Sequence, residues 1–174
     1  LCISDSRTSI VSGKTNEVDR MIVRCIGVAA RVSELTGGEY DIPVKPLTQA
    51  WGFTWQNAVY RPNVDSLLRY VGYKKIRIEG DRLVKQYPQM QLDLNSIAKG
   101  LAVDMMGEMF AGIGIADYLV EIGGEVVCRG RSSRGGEWRV AIARPVEGNI
   151  VPGEETPALL SMSGMALATS GNYR

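Results

Sequence analysis

The chain contains no histidine among its 174 residues. This absence excludes Ser-His-Asp and Cys-His catalysis within these residues, and it excludes the usual zinc sites built on imidazole. The three cysteines, at positions 2, 25 and 128, are far apart and match no C-x-x-C pattern. Cys25 falls on the apolar face of a predicted helix, where we expect it to be buried in the core.

The sequence also has little net charge, and its value of +1 gives no reason to expect nucleic acid or an anionic membrane surface as a partner. No apolar run approaches the length of a membrane span, and no signal peptide opens the chain. A length of 174 residues predicts one large or two small domains that bury a real core. Because the first residue is Leu1 rather than Met, we expect the true start to lie upstream.

Aromatic residues make up only 7% of the chain, yet several fall in one short segment around Gly52. This segment contains Trp51, Phe53 and Trp55. One interpretation is an anchor in the hydrophobic core. The other is an aromatic wall for a planar ligand, with Gly52 allowing close approach of the backbone. The residues alone leave both interpretations open.

Two segments have the periodicity of amphipathic helices. Residues 16–35 predict a helix with Asn16 as its N-cap, ending at Gly37 and Gly38. Residues 62–71 predict a shorter helix. Between them, residues 40–47 contain two prolines, which favour an extended, edge-like path over a helix interior.

Alternating segments predict strands in the rest of the chain. Residues 75–85 predict a hairpin that turns at Gly80 and Asp81. Further strands are predicted at residues 118–122, 125–129, 138–143, 158–162 and 165–169. This order of elements predicts an α+β fold, with mixed or antiparallel sheets and packed helices, rather than a doubly wound sheet.

Residues 91–100 predict a half-buried strand that leads directly into a helix. The helix is expected to begin with Asn95 or Ser96 as its N-cap and to run to about residue 111. Lys99 then falls in the first turn, where the helix dipole disfavours a cation. It suits that place if the lysine and the free backbone N–H groups bind an anion together. The alternative is a solvated lysine on an ordinary amphipathic helix.

Several separate motifs, taken together and in this order, resemble one family. They are TGGEYDIPV at residues 36–44 with Pro46 and Leu47, AWGF at 50–53, DLNSIAKG at 93–100 with AVD at 102–104, GGE at 123–125, WRVAI at 138–142 and ATSGNYR at 168–174. The chain resembles the ApbE family of FAD:protein FMN transferases, the flavin transferases once called thiamine biosynthesis lipoproteins. The resemblance covers nearly the whole chain and implies a T-fold-related α+β architecture. It implies one such domain over residues 1–174, incomplete at both ends.

The resemblance implies a magnesium-dependent enzyme of the bacterial cell envelope, periplasmic or held at the membrane as a lipoprotein by an anchor outside these residues. Such an enzyme binds FAD, splits its pyrophosphate, leaves FMN on a Thr or Ser of an acceptor flavoprotein and releases AMP. The chemistry is consistent with the residues, because magnesium takes oxygen ligands and does not need histidine. A hydroxyl nucleophile supplied by the acceptor also explains why no internal nucleophile is evident.

The resemblance also implies roles for individual residues. Trp51, Gly52, Phe53 and Tyr173 are expected to line the FAD site. Asp93 is expected to hold the flavin nucleotide, and Lys99 to lie near the phosphates, which makes these two the catalytic candidates. The backbone carbonyl of Ser96 is expected to be one magnesium ligand.

The sequence departs from the family pattern after Arg174. Family members continue with a His-Ile-Ile-Asp-Pro-like motif and an Asp-Ala-Leu-Ala-Thr-like segment that supplies an aspartate and a threonine to the metal. We therefore expect these residues to be part of a longer chain. Two alternatives stay open, an FAD pyrophosphatase that yields FMN and AMP, and a protein that binds FAD without cleaving it. Glu121, Glu125 and Asp104 are carboxylates that we do not assign as acid or base.

Overall fold

A computed structural model of the protein describes residues 15–53, 61–142 and 158–170. Contacts between Cα atoms divide the chain into two compact units, residues 1–98 and residues 99–174. The described residues form helices and small antiparallel sheets, which confirms the predicted α+β class. The single domain expected over residues 1–174 stays a prediction.

The elements have the following bounds. The helices are α1 (Arg20–Leu35), α2 (Lys45–Ala50), α3 (Val64–Leu68) and α4 (Asn95–Gly112), and short 3-10 turns lie at Ile42–Val44 and Tyr73–Lys75. The strands are β1 (Thr15–Glu17), β2 (Ile76–Glu79), β3 (Arg82–Lys85), β4 (Tyr118–Ile122), β5 (Glu125–Arg129), β6 (Trp138–Ile142), β7 (Ala158–Met162) and β8 (Met165–Leu167). Among the helices in the described ranges, none is long and apolar enough to cross a membrane.

The first unit contains a three-stranded antiparallel sheet in the order β1-β3-β2. Strands β2 and β3 form the predicted hairpin, with Ile76 opposite Lys85 and Glu79 opposite Arg82 across the turn. Lys85 is buried, and its ammonium donates to the carbonyls of Pro88 at 2.7 Å and Met90 at 2.9 Å. Burial lowers the pKa of the Lys85 ammonium. The lysine thus holds the chain segment that follows β3.

Helix α1 begins three residues later than the sequence predicted. Its N-cap is Asp19, whose carboxylate accepts a hydrogen bond from the Met21 N–H at 2.7 Å, and not Asn16. Asn16 lies in β1, where it pairs with Leu83 of β3. Pairing with another strand is a long-range effect that overrides local helix propensity. The core face of the helix is as predicted, with Cys25, Ile26 and Ala29 buried.

The extended path predicted for residues 40–47 is wrong. Residues Ile42–Val44 form a 3-10 turn, and α2 follows directly at Lys45–Ala50. Each proline occupies one of the first two positions of its turn or helix. Proline is tolerated there, since those positions have no intrahelical partner for the missing N–H.

The strand predicted at residues 91–94 forms no ladder in the structure, although the alternation that predicted it is present. Leu92 and Leu94 are buried, whereas Gln91 and Asp93 are half-buried. The backbone N–H of Asp93 donates to the carbonyl of Ile42 at 2.7 Å. This bond connects the segment before α4 to the turn that precedes α2.

The second unit contains the sheet β4-β5-β8 and the pair β6-β7, all antiparallel. The bounds predicted for β4, β5 and β7 agree with the structure, and β6 and β8 end one and two residues early. Tyr118 of β4 packs on α4, and the centre of its ring lies 5.7 Å from that of Phe110. The Tyr118 ring also lies directly beside Gly107. The absence of a side chain at Gly107 allows this close approach.

Gly130, just after β5, lies close to Ala116 and Asp117, just before β4, and a substitution can test this contact. Its φ is +67°, and a Cβ there would overlap the Asp117 carboxylate and lie 2.7 Å from the carbonyl of Ala116. We expect Gly130→Ala to lower the free energy of unfolding by about 3 kcal/mol, from left-handed backbone strain and overpacking together. Denaturant unfolding measures this change.

Gly135→Ala is the matched control. Gly135 has a φ of +85°, but no atom of the described part of the chain lies within 4 Å of its ideal Cβ position. This variant carries the backbone strain without the overlap, so we expect a loss of about 1 kcal/mol. Equal losses in the two variants would contradict the close packing of Gly130 against Asp117.

Candidate active site

The N-terminus of helix α4 is stabilised by Asp93. One oxygen of its carboxylate accepts a hydrogen bond from the backbone N–H of Asn95 at 3.0 Å, and the Ala98 N–H donates to the carbonyl of Leu94 at 2.9 Å. The sequence predicted Asn95 or Ser96 as the N-cap, and both are instead inside the helix. An acidic side chain two residues before the first helical N–H reaches that donor and is favoured by the helix dipole.

Ser96 is held by a residue that sequence reasoning missed. The hydroxyl groups of Ser96 and Tyr40 lie 2.8 Å apart, and the backbone N–H of Tyr40 donates to the Thr36 hydroxyl at 3.1 Å. Tyr40 and Ser96 belong to two of the motifs that carry the family resemblance. Their separation of 56 residues has no local signal, and only the shared motif membership could have suggested the contact.

Asp41, next to Tyr40, is a partly buried carboxyl group. One of its oxygens is inaccessible to solvent and accepts no hydrogen bond among the described residues. Burial raises the pKa of the Asp41 carboxyl, and the Tyr73 backbone N–H and the Lys75 charge oppose that rise. Asp41 therefore interacts with the turn at Tyr73–Lys75.

The aromatic segment after α2 is exposed. The side chain of Trp51 is 58% exposed and that of Phe53 is 82% exposed, so the core-anchor interpretation is wrong for both residues. The backbone turns tightly here, since the N–H groups of Trp51, Gly52 and Phe53 donate back into the last turn of α2 at 2.9–3.0 Å. Trp55 lies outside the described residues. Two large rings in solvent can cover a planar ligand, and Gly52 leaves room beside them.

Lys99 is neither simply solvated nor free to bind an anion with all its donors. Its ammonium lies 2.6 Å from Oε2 of Glu125 and donates to the carbonyl of Gly123 at 2.9 Å. About half of the lysine side chain, 47%, stays exposed, against 14% for Glu125. The sequence singled out Lys99 and gave Glu125 no role; that Lys99 lies near the phosphates stays a prediction. The place of Glu125 in the GGE motif was the available signal.

The other carboxylates considered from the sequence lie elsewhere. Glu121 accepts a hydrogen bond from the backbone N–H of Gly124 at 2.9 Å, so it stabilises the turn between β4 and β5. Asp104 is exposed on α4. Neither arrangement positions a general base.

The described residues do not by themselves form a magnesium site. Within residues 15–53, 61–142 and 158–170, no three Asp, Glu, Cys or His side chains cluster as metal ligands do. Ser96 lies in the first turn of α4, and its backbone carbonyl is one oxygen donor. Magnesium needs six oxygens, so one carbonyl leaves most positions to other groups. Tyr173, the remaining predicted FAD contact, lies outside the described residues.

The structure thus brings together three pairs of motif residues. Asp93 binds the Asn95 N–H, Tyr40 contacts Ser96, and Lys99 pairs with Glu125. The first two pairs belong to the first unit and the third belongs to the second unit.

The sequence is similar to proteins of known activity. It is 35% identical over 153 residues to a FAD:protein FMN transferase of Vibrio cholerae, covering 84% of this chain and 44% of that protein. It is 32% identical over 167 residues to a FAD:protein FMN transferase of Haemophilus influenzae, covering 91% and 47%. The chain therefore spans about half the length of these curated relatives.

Solved structures agree with this similarity. The flavin transferase ApbE of Vibrio cholerae superposes with a TM-score of 0.80 at 30% identity, over 97% of this chain and 54% of that one. The apo form of Pseudomonas stutzeri flavinyl transferase ApbE superposes with a TM-score of 0.79 at 29% identity, over 95% and 52%. The model of the ApbE family matches residues 3–174. The chain belongs to the ApbE family.

Proposed function

We propose that the intact protein transfers FMN from FAD to a Thr or Ser of an acceptor flavoprotein, with magnesium, and releases AMP. The observation that carries this proposal is the arrangement of Lys99 within the DLNSIAKG motif. Its ammonium is fixed by two protein oxygens, yet its side chain stays half exposed. Membership of a family whose relatives are named FAD:protein FMN transferase supports the same reaction.

The proposed reaction is a phosphoryl transfer. The acceptor hydroxyl oxygen forms a bond to the phosphorus of the FMN half of FAD, and the bond from that phosphorus to the bridging oxygen breaks. The electron pair stays on the bridging oxygen, which leaves with AMP, and the hydroxyl proton passes to solvent or a base. Lys99 would stabilise the negative charge that develops on the phosphate oxygens.

The other predicted residues would bind the rest of the nucleotide. Trp51 and Phe53 offer exposed rings against which the isoalloxazine or the adenine could stack, beside Gly52. Asp93 would hold the flavin nucleotide through its second carboxylate oxygen, since the first is bound to the Asn95 N–H. Tyr173 would complete the FAD site.

Magnesium, when bound, would neutralise charge on the pyrophosphate. The backbone carbonyl of Ser96 would supply one ligand, and the FAD phosphates, water and groups outside the described residues would supply the others. We propose that the protein works in the bacterial cell envelope, in the periplasm or on a lipid anchor, as the family resemblance implies. Its partner there would be the acceptor flavoprotein.

The first test is the titration of the intact protein with FAD, with and without magnesium, followed by chromatography of the products. We expect FAD binding and magnesium-dependent release of AMP, with FMN covalently attached when an acceptor flavoprotein is present. Removal of magnesium by a chelator should stop AMP release.

The products also separate the alternatives. Free FMN that appears at the same rate with and without an acceptor would indicate a pyrophosphatase instead. Binding without cleavage at any magnesium concentration would indicate an FAD-binding protein without catalysis. Absence of FAD binding would refute the proposal.

Asp93 variants test whether this residue acts beyond the helix end. Asp93→Ala removes the acceptor of the Asn95 N–H and should lower the free energy of unfolding by about 1 kcal/mol. Asp93→Asn keeps an acceptor oxygen there and should lose only a few tenths of a kcal/mol. We expect both variants to bind FAD more weakly, measured by fluorescence titration. Normal FAD affinity and turnover in Asp93→Asn would restrict the carboxylate to the helix end.

Lys99→Ala tests the proposed phosphate contact. We expect turnover to fall about a hundredfold, because a preorganised cation is lost where charge develops. The free energy of unfolding should also fall, by about 3 kcal/mol, because the largely buried Glu125 carboxylate loses its cationic partner. Lys74→Ala, at an exposed lysine of the first unit, is the control and should keep full turnover. Normal turnover of the folded fraction of Lys99→Ala would make the lysine structural.

A further inference from the structure

We propose that Glu125 is a positioning residue that, together with the carbonyl of Gly123, directs the Lys99 ammonium at the FAD pyrophosphate. This inference rests on the proposed function and assigns a role to a residue outside the DLNSIAKG motif. It follows from the contacts of Lys99, the shape of the β4–β5 turn and the difference in exposure between the two charged side chains.

Among the described residues, Lys99 makes one hydrogen bond and one ion pair, and about half of its side chain stays exposed. An ammonium has three N–H groups, and here one donates to Gly123 at 2.9 Å while the Glu125 carboxylate lies 2.6 Å away. The lysine stem has four rotatable carbons and by itself fixes its charge poorly. The hydrogen bond to Gly123 and the ion pair with Glu125 restrict the ammonium from one side, so its exposed side has a defined direction available to an anion.

The turn between β4 and β5 is shaped around the lysine stem. Gly123 has a φ of +58°, and a Cβ on it would lie 3.1 Å from Cδ of Lys99. The next residue, Gly124, donates its N–H to the Glu121 carboxylate at 2.9 Å, which fixes the turn from the other side. The two glycines therefore leave room for the lysine side chain. Glu121 fixes the turn by accepting the Gly124 N–H, and Glu125 pairs with the lysine ammonium.

The two side chains of the ion pair differ in exposure, so they depend on each other unequally. Oε2 of Glu125 is inaccessible to solvent, and the lysine ammonium is its cationic partner. A buried carboxylate oxygen is stable only when it is paired, so Glu125 depends on Lys99. Lys99, in contrast, is half exposed and keeps access to a ligand.

Charge and position predict opposite effects when Glu125 is neutralised. Loss of the carboxylate removes the negative charge that offsets the Lys99 ammonium, so the net charge facing FAD becomes more positive, which favours binding of the ground state. It also releases the ammonium from its place, which disfavours the transition state. Glu125→Gln should therefore lower kcat about ten- to a hundredfold and leave KM for FAD unchanged or lower. Loss of folded protein alone would lower the apparent kcat without changing KM, so kcat is expressed per FAD-binding site and the thermal stability of the variant is measured beside it.

A double-mutant cycle on magnesium-dependent AMP release tests this in the intact protein. The variants are Glu125→Gln, Lys99→Met and the two combined, with Glu137→Gln as the control for loss of an exposed carboxylate in the same unit. If Glu125 acts through Lys99, adding Glu125→Gln to Lys99→Met causes no further loss of kcat. Losses that multiply would overturn the proposal, as would wild-type kcat in Glu125→Gln.

A second measurement is independent of activity. Limited acetylation, followed by mass spectrometry, compares the reactivity of Lys99 with that of exposed Lys74. Release of Lys99 in Glu125→Gln should raise its relative rate about three- to tenfold, and Glu137→Gln should leave it unchanged. An unchanged rate in Glu125→Gln would overturn the contact itself. Glu125→Asp serves the same purpose if Glu125→Gln does not fold, because it keeps the charge and withdraws it by one methylene.

The two measurements separate failure of this inference from failure of the proposed function. If the wild-type protein neither binds nor cleaves FAD, the proposed function and the part that Glu125 plays in it both fail, while acetylation still decides whether Glu125 holds Lys99. If the wild type cleaves FAD and the cycle is multiplicative, the proposed function stands and only the role of Glu125 fails.

Discussion

The contact between Lys99 and Glu125 determines where the cation of the proposed active site is held. Within the second unit it connects helix α4 to the hairpin of β4 and β5, and it occurs between a largely buried carboxylate and a half-exposed ammonium. An ion pair at the surface contributes little to stability, whereas one with a buried member is costly to break. Within this unit, the hairpin, its two glycines and Lys99 of α4 are therefore constrained together.

The sequence predicted the elements whose determinants are local. The hairpin at Gly80, the strands flanking Gly123 and Gly124, and the apolar face of α1 agree with the structure because period and turn residues determine them. The predicted start of α1 and the predicted extended path at residues 40–47 were wrong. Asn16 pairs with β3 as part of a strand, so the helix begins after it. The two prolines lie in the first positions of a 3-10 turn and of a helix, where proline is tolerated.

The same distinction applies to the site. Lys99 and Ser96 could be located from one motif, and the family resemblance gave them roles. Their partners could not be found from spacing, because Tyr40 lies 56 residues from Ser96 and Glu125 lies on a different element from Lys99. The exposure of Trp51 and Phe53 could not be predicted either, since a cluster of aromatic residues has the same sequence pattern whether it is buried or in solvent.

The exposed rings of Trp51 and Phe53 have a thermodynamic consequence. Apolar surface that leaves water on binding lowers the heat capacity of the complex, whereas phosphate contacts alone do not have this effect. A nucleotide whose ring covers these two side chains would therefore bind with a markedly negative heat capacity change. A ligand held only by its phosphates would lack it, so calorimetry over a range of temperatures distinguishes the two modes of recognition.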